Sequence, residues 1–489
     1  MSIYKSLFKQ TAIYGLATVL PRMFSFILVP LYTNPKVLNV QEYGEVSVIF
    51  SWMVLLNVLL AYGMETAFFR FYHSDTSKKT VIGTATVSIF WTTLLFLIVS
   101  LLFRNTLAEL TNIEVEYITY TIWILVLDAL VIIPFSKLRV YQKPMTYALV
   151  KVGNVAVNLS LNIFFLLYLP QIAIDHPDGF MASLYIENFQ IGYIFVANII
   201  ASLITLLVLL PNYLHIQWYF DFKLWKKMMN YALPILVAGI AFAINETFDR
   251  ILLDYLLPQN IAKIDIGAYS ACYKLALFMT LFATAFRLGV EPFFFSHANN
   301  EDAPKTYAMI THYFIIFGSV ILLAVIVFAD LLKVLIIRDE SYWEAMKVVP
   351  LIILANFFLG IYHNLSVWYK LTDKTKMGAY ISIVGAIITL ALNFLLISKF
   401  SYVGSAIATI AAYGSMMVLS YYLGNRYYPI PYDLKKIGSY LGISTLFSVV
   451  YFYGFRENYA IGIGLLILFV YFVFRNEKGT ILQLLKKTT

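Results

Sequence analysis

The stretch Gly63-Met-Glu-Thr-Ala-Phe-Phe69 recurs 226 positions later as Gly289-Val-Glu-Pro-Phe-Phe-Phe295. A second pair of segments, Lys143–Asn162 and Lys374–Asn393, is related at a similar offset of 231, and each reaches an Asn that opens an apolar run. Matches that keep their order at a nearly constant offset are typical of an internal duplication. The sequence therefore predicts two related halves.

The composition places these halves in a membrane. The 489 residues are 61% hydrophobic and 13% charged, whereas soluble domains are about 45–50% apolar and about 25% charged. Fourteen spans of about 20 residues would leave only about 14 residues for each connection or tail. These proportions exclude a soluble enzyme and a sizeable domain outside the membrane. The single cysteine, Cys272, excludes an internal disulfide and a Cys-based metal cluster.

Hydropathy and turn residues predict fourteen membrane spans, which puts both termini on the same side. Twenty-three Lys and Arg side chains then lie on the side of the N-terminus and eight lie opposite. The positive-inside rule therefore predicts a multi-pass membrane protein with both termini cytoplasmic. The predicted spans are 11–33, 43–63, 81–103, 117–136, 147–169, 191–210, 228–256, 266–286, 307–329, 347–368, 377–397, 402–423, 437–453 and 458–474.

The duplication and the span count together predict the fold class. A third marker, Glu42-Tyr-Gly44 and Asp265-Ile-Gly267, keeps the same order. Six spans per repeat is an even number, so both copies have the same orientation, as in transporters that rock about a central cavity. The prediction is an all-α polytopic membrane protein of about 14 helices, in which two parallel six-helix bundles precede two C-terminal helices. The predicted domains are 1–222, 223–432 and 433–489.

Two charged residues are predicted near the middle of the membrane, where charges are costly and face a cavity or a partner. Arg22 lies eleven residues into span 1 beside Pro21, and Asp128 lies eleven residues into span 4. Arg22 either faces a cavity or pairs with a carboxylate such as Asp128. Asp128 is either that partner or a proton or cation site, and the sequence leaves both interpretations open.

A cluster of polar residues is predicted on span 7. Asn245 and Asp249 lie one helical turn apart, as do Glu246 and Arg250. One interpretation is an internal ion pair between Glu246 and Arg250, which leaves Asp249 less neutralised. The other is a site that couples an ion or a proton to transport.

Other polar side chains are predicted along spans 5 and 8. Lys274, about eight residues into span 8, either points into the cavity or extends towards the membrane surface. Asn154, Asn158 and Asn162 recur every four residues on span 5 and form one stripe. Interhelical hydrogen bonds explain this stripe, and the same amides suit the hydroxyl groups of a sugar.

Motifs of soluble chemistry are absent from the sequence. It contains no Gly-x-x-x-x-Gly-Lys loop, no His-Glu-x-x-His and no Cys/His cluster. The loop 170–190 is the only candidate for the catalytic loop of a membrane glycosyltransferase or polymerase. We therefore expect a transporter and not an enzyme, with no bound cofactor and no nucleic-acid partner, because the net charge of +8 is accounted for by topology.

Several short motifs, taken in order, resemble those of a known family. They are Pro21-Arg-Met-Phe-Ser-Phe26, Pro30-Leu-Tyr-Thr33, Glu42-Tyr-Gly44, Gly63-Met-Glu-Thr-Ala-Phe-Phe-Arg70, Pro350 and Trp368-Tyr-Lys-Leu-Thr-Asp-Lys-Thr375. They resemble the polysaccharide-biosynthesis flippases, the Wzx-type oligosaccharide transporters, of the multidrug/oligosaccharidyl-lipid/polysaccharide (MOP) superfamily. The resemblance covers essentially the whole chain and implies the MATE-like arrangement of two lobes.

This resemblance implies translocation of a polyprenyl-pyrophosphate-linked oligosaccharide from the inner to the outer leaflet of the plasma (inner) membrane, for O-antigen, capsule or a similar polysaccharide. Arg22 matches an arginine that lines the central cavity of the related lipid II flippases, although Leu28 replaces their second arginine. The candidate substrate-binding residues are Arg22, Lys274, Arg250, Asn154, Asn158 and Asn162. The candidate ion-coupling residues are Asp128, Asp249 and Glu246.

The predicted partners follow from that function. They are the lipid-linked oligosaccharide and membrane lipids, and a polysaccharide polymerase and glycosyltransferases are candidates as well. An H⁺ or Na⁺ gradient is the candidate driving force. The alternative function is a MATE-like, cation-coupled antiporter of small molecules or drugs.

Overall fold

The computed structural model describes residues 19–21, 23, 26–74, 77–214, 216–296 and 300–488. Regular structure in these residues is helical, and they contain no strand. Twelve of their helices are long and apolar enough to cross a membrane, and a shorter apolar helix runs over Val19–Tyr32. The all-α polytopic class is thereby confirmed.

The helices follow the predicted spans closely. In chain order they are α1 Val40–Ala61, α2 Met64–Ser74, α3 Lys78–Leu102, α4 Arg104–Thr111, α5 Val115–Leu130, α6 Ile132–Val140, α7 Pro144–Ile163, α8 Leu169–Asp175, α9 Gln190–Leu209, α10 Pro211–Leu214, α11 Phe222–Leu256, α12 Gln259–Tyr273, α13 Leu277–Ser296, α14 Ala303–Val327, α15 Ala329–Ile336, α16 Val349–Leu365, α17 Val367–Leu371, α18 Thr375–Tyr427, α19 Leu434–Gly454 and α20 Tyr459–Thr488. Short 3₁₀ turns occur at Ala182–Leu184, Lys274–Ala276 and Glu340–Val348, and a π-turn occurs at Phe164–Tyr168.

The range α18 contains two helices that meet at a kink, and it accounts for two predicted spans. It has 53 residues, which in one straight helix would extend about 80 Å at 1.5 Å per residue, more than twice the thickness of the hydrocarbon core. Its backbone departs from helical geometry at Ser401, where φ is 47°. This is where the predicted spans 11 and 12 meet. Counting α18 twice, together with the helix Val19–Tyr32, agrees with about fourteen spans.

The chain divides into two compact units, Met1–Ala268 and Tyr269–Thr489. In the first unit, α9 packs between α5 and α7, and α11 packs along α1 and α2. In the second unit, α16 packs against α13 and α18, and α14 packs against α19. The predicted lobes 1–222, 223–432 and 433–489 follow the internal repeat, whereas the two units are defined by contacts within the chain. The division into lobes stays a prediction.

Glycines fix one helix crossing in the first unit. A Cβ atom on Gly44 of α1 would lie 1.9 Å from the carbonyl oxygen of Lys263 on α12. A Cβ atom on Gly267 of α12 would lie 1.9 Å from the carbonyl oxygen of Val40 on α1. Since neither position has room for a side chain, the two helices cross in backbone contact. Both glycines belong to the third marker of the repeat.

The last two long helices are fastened to α14 and α15 at both ends. At one end, Asp330 accepts two hydrogen bonds from Arg456, at 2.7 and 2.9 Å, and pairs with Lys333 at 2.6 Å. Burial acts to raise the pKa of Asp330, but the hydrogen bonds from Arg456 and Lys333 outweigh it, so this pKa lies below its ordinary value. The hydrogen bond to Asp330 correspondingly raises the pKa of Arg456.

The other end of this helical hairpin is held by a buried carboxylate. Glu477 accepts hydrogen bonds from the Tyr440 hydroxyl at 2.7 Å and from the Lys436 ammonium at 3.0 Å. His312 of α14 lies 3.1 Å from the same oxygen. A buried carboxylate is tolerated only with such partners, so Glu477 ties α14, α19 and α20 together.

Candidate functional site

A carboxylate lies at mid-depth in the first unit. Asp128 is on α5, and it accepts a hydrogen bond of 2.8 Å from the hydroxyl of Ser202 on α9. Its position is near the centre of the 26-residue span Val115–Val140. A carboxylate at this depth is costly and marks a functional position by default. Because Arg22 lies outside the described residues, the proposed pairing of Asp128 with Arg22 stays a prediction.

The cation that interacts electrostatically with Asp128 in the described residues is Lys151 of α7. Its ammonium lies 4.3 Å from the centre of the Phe135 ring. Lys151 is half-buried, seven residues into its helix, or about 10 Å at 1.5 Å per residue. Lys151 is not among the candidate site residues predicted from the sequence. The separation of Asp128 and Lys151 along the chain does not predict that they interact, because the packing of the helices brings them together.

A further ion pair lies between these two residues and the helix ends that are predicted to be cytoplasmic. Arg139 of α6 donates to Glu65 of α2 at 2.7 Å, and both groups interact electrostatically with Lys151. The Arg139 guanidinium also lies over the Phe69 ring, 4.6 Å from its centre. The first unit thus carries two acidic and two basic groups between its helix ends and mid-membrane. We refer to Glu65, Arg139, Lys151 and Asp128 as the charge column.

The asparagine stripe of span 5 lies on the same helix as Lys151. Asn154 donates to the hydroxyl of Thr205 on α9 at 2.9 Å. Asn162 is buried, accepts from the Tyr32 hydroxyl at 2.8 Å and donates to Asn158 at 2.8 and 3.0 Å. The prediction of interhelical hydrogen bonds is confirmed for Asn154 and Asn162, so any sugar contact requires these amides to exchange partners.

The structure corrects the ion pair predicted on span 7. Arg250 donates at 2.9 Å to the carboxylate of Asp249, its neighbour in sequence, and both side chains are about nine-tenths buried. The Arg250 guanidinium also donates to the main-chain carbonyl of Glu246, at 3.0 Å. The Glu246 side chain itself is exposed. The predicted Glu246–Arg250 pair is therefore wrong. Helical spacing favoured it, but the guanidinium folds back onto the adjacent carboxylate. Asn245 is buried on the same helix.

Lys274 occupies a break in its span. It opens the 3₁₀ turn Lys274–Ala276 between α12 and α13, and its side chain is exposed. A break of this kind frees main-chain carbonyls, which in a membrane are tolerated beside protein or water. Whether Lys274 contacts substrate stays a prediction.

The second unit repeats the ion pair of the first. Lys370 lies 2.5 Å from Glu291, and these residues follow Arg139 and Glu65 by 231 and 226 positions. They line a cavity of about 10 Å³, room for about one water molecule. Arg287, His363 and Asn364 line it as well. The repeat offsets, applied to all charged residues, would have matched Arg139 with Lys370, as they match Glu65 with Glu291.

The buried asparagines of the two repeats also match. Asn393 donates to the carbonyl of Thr389, one turn earlier, at 2.7 Å and accepts from the Ser405 hydroxyl at 2.8 Å. Asn162, 231 positions earlier, uses its amide and its carbonyl oxygen in the same way. Such agreement is expected of duplicated helices and supports the internal repeat.

The inner part of the charge column, Asp128 and Lys151, is not duplicated. The positions that follow Asp128 and Lys151 by 231 are Leu359 and Ser382. The mid-membrane carboxylate and cation therefore distinguish the first unit from its repeat. In the described part of the chain no three His, Cys, Asp or Glu residues are placed to hold a metal ion.

Known structures share this fold. A lipid II flippase in an inward closed conformation superposes with a TM-score of 0.75 at 15% identity, covering 95% of this chain and 99% of its own. An inward-facing multidrug resistance MATE transporter of the MOP superfamily gives 0.62 at 12% identity, covering 88% of this chain and 95% of its own. A further MATE transporter, in a straight conformation, gives 0.59 at 11% identity, with coverages of 89% and 96%. At these identities the likeness shows the fold.

Family models match the sequence itself. No protein with a curated description matches it significantly. The MatE model matches residues 234–395, about a third of the chain. The model described as polysaccharide biosynthesis protein matches residues 7–297, more than half of the chain. The relatives are transporters and flippases, not enzymes. The chain belongs to the polysaccharide biosynthesis protein family and has the fold of the MOP superfamily.

Proposed function

We propose that this protein is a flippase that moves a polyprenyl-pyrophosphate-linked oligosaccharide from the inner to the outer leaflet of the plasma membrane. The observation that carries this proposal is Lys151, a cation held at membrane depth beside Asp128 and Phe135. The family match over residues 7–297 and the fold shared with a lipid II flippase support it. The product serves the synthesis of a surface polysaccharide such as O-antigen or capsule.

The chemistry of the charge column suits such a substrate. A pyrophosphate cannot enter about 30 Å of hydrocarbon without cations and hydrogen-bond donors to replace water. Lys151 supplies a cation, and an arriving anion competes with Asp128 for it. Asn154 and Thr205, on the neighbouring faces of α7 and α9, offer an amide and a hydroxyl to sugar hydroxyls. Arg22, Lys274 and Arg250 stay further candidates for the pyrophosphate.

Alternating access between two six-helix lobes is the mechanism we infer for this function. The duplication supports it, because repeats of equal orientation form two bundles around a central site. In this proposal both termini are cytoplasmic, and the ion pairs Arg139–Glu65 and Lys370–Glu291 lie at the cytoplasmic ends of their helices. A polymerase and glycosyltransferases would act on the same lipid-linked substrate before or after transport.

Coupling to an H⁺ or Na⁺ gradient is assigned to Asp128. It is a mid-membrane carboxylate with one hydroxyl donor and one cation nearby, so binding a proton or releasing Lys151 changes the local charge. Asp249 is already paired with Arg250, and it would take part only if that pair separates. Glu246 is exposed on the same helix and is the weaker candidate.

A MATE-like antiporter of small molecules or drugs is the second candidate function. The MatE model matches residues 234–395, and MATE transporters share the fold. An antiporter of organic cations has no use for Lys151, since the like charge repels its substrate. The behaviour of Lys151 variants therefore separates the two functions.

The test is the lipid content of cells that lack the gene. We expect the polyprenyl-pyrophosphate-linked oligosaccharide to accumulate and surface polysaccharide to fall, with both restored by the wild-type gene but not by Lys151→Met. Lys305→Met, which changes an exposed lysine, should restore both and is the matched control. Unchanged lipid and polysaccharide together with increased sensitivity to cationic drugs would instead support the antiporter.

A further inference from the structure

The segment 216–221, which precedes α11, lies in contact with α3. A Cβ atom on Gly83 would lie 2.5 Å from the carbonyl oxygen of Gln217, so the two backbones touch. The Asp221 amide donates to the Thr84 hydroxyl at 3.1 Å. The Trp225 indole donates to Ser88 at 2.9 Å. These contacts fix the segment along the first three turns of α3.

Aromatic side chains of this segment nevertheless face outwards. Trp218, Tyr219 and Phe222 are 54%, 57% and 63% exposed, and Phe220 is 41% exposed. The Trp218 ring meets Phe90 edge-on at 5.4 Å, two turns further along α3 than Gly83. The indole therefore points from the end of α3 towards its apolar middle. Tryptophan and tyrosine in this position are typical of the boundary between hydrocarbon and lipid headgroups.

Three lysines follow these aromatic residues closely in the sequence. Lys223, Lys226 and Lys227 are spaced on one face of the first two turns of α11, and all are exposed. Asp221, the only acidic residue between Glu187 and Glu246, uses its carboxylate to cap the helix at the Leu224 amide. In the part of the chain that the structure describes, none of these three lysines forms an ion pair. The face therefore carries positive charge at one end of a helix that is long and apolar enough to span a membrane.

We propose that this segment binds the headgroups of acidic phospholipids. The link surface consists of Trp218, Tyr219, Phe220 and Phe222 together with Lys223, Lys226 and Lys227. Its aromatic rings suit the interface, and its ammonium groups attract anionic headgroups on the side predicted to be cytoplasmic. A neutral lipid shell leaves the lysines without counter-charges, so charge complementarity selects the acidic lipid.

The experiment measures the affinity of the purified full-length protein in detergent for phosphatidylglycerol and for phosphatidylcholine. The variant Lys223→Gln/Lys226→Gln/Lys227→Gln should bind phosphatidylglycerol at least about tenfold more weakly and phosphatidylcholine as before. Lys305→Gln/Lys376→Gln/Lys435→Gln removes the same charge from exposed positions elsewhere and should bind like the wild type. Equal losses in both triple variants, or no loss in the first, would overturn the proposal.

A second variant keeps the test informative if the triple variant does not fold. Trp218→Ala should weaken binding of phosphatidylglycerol without changing its dependence on salt, since the lysines remain. A wild-type protein that binds both lipids equally would overturn the proposal. So would a triple variant whose oligomeric state changes while its affinity for lipid does not, since the face would then belong to a second copy of the chain.

Discussion

Gly44 and Gly267 meet where α1 crosses α12, and each backbone lies where the other residue would need room for a Cβ atom. The two glycines come from the motifs Glu42-Tyr-Gly44 and Asp265-Ile-Gly267, which the repeat makes equivalent. Small residues let membrane helices approach closely and gain van der Waals contact. The crossing therefore explains why both copies of the motif end in glycine.

Alanine at either glycine should destabilise the protein. Because the added Cβ would lie 1.9 Å from a carbonyl oxygen, the helices must separate, at a cost of about 1–3 kcal/mol. Thermal unfolding in detergent measures this loss, and Gly153→Ala, which meets nothing within 4 Å, is the control. The double variant should lose less than the sum. Strict additivity would contradict a shared crossing.

The repeated ion pairs should matter more for transport than for stability. Lys370 and Glu291 are about one-third exposed, so Glu291→Gln should cost about 1 kcal/mol or less. We expect the same variant to impair export of surface polysaccharide and the charge swap Glu291→Lys/Lys370→Glu to restore part of it. Breaking the exposed pair Lys305–Asp302 should change neither property. Export by Glu291→Gln at the wild-type level would refute this role.

A double-mutant cycle on Asp128 and Lys151 should affect the stability and the transport activity of the protein differently. Asp128→Asn and Lys151→Met each remove one of these two charges and leave the other at membrane depth. Each variant should lower the free energy of unfolding by about 1–3 kcal/mol. The double variant should regain part of this stability because no unpaired charge remains. Its transport should stay lost, since Lys151 is the proposed ligand of the pyrophosphate. Recovery of transport along with stability would make the pair structural only.

The decrease in the stability of the protein at low pH should depend on Asp330. Its pKa is depressed in the folded protein, so its contribution is present above the ordinary pKa of about 3.9 and is lost as the pH falls through the folded-state pKa. At pH 7 Asp330→Asn should therefore cost about 1–3 kcal/mol. The difference from the wild type should shrink at lower pH. A difference that stays constant with pH would contradict the assignment.

Much of the fold follows from composition and repeats. The spans and the duplication could be predicted because hydropathy and repeat offset are properties of the sequence alone. The family was predicted from the resemblance of several short motifs. The range α18 was predicted as two spans, and its two helices do meet at a kink at Ser401, between those spans.

The candidate site was harder to predict, because it depends on which helix faces meet. Asp128 was found from its depth, but its interaction with Lys151 depends on the packing of α5 and α7 against the same helix, α9. Arg250 has two carboxylates close in sequence, Glu246 four residues before it and Asp249 one residue before it. Only the side-chain geometry shows that its ion pair is with Asp249. The buried Glu477 with His312 joins residues 165 positions apart, and hydropathy gives no sign of it.

The most direct test of the flippase proposal uses vesicles reconstituted with the purified protein and a polyprenyl-pyrophosphate-oligosaccharide that carries a fluorophore on its sugar. An impermeant quencher added outside reports how fast lipid from the inner leaflet becomes accessible. The account predicts rapid exchange with the wild type and, with Lys151→Met, the rate of protein-free vesicles. Wild-type vesicles that exchange the labelled lipid no faster than protein-free ones would contradict it.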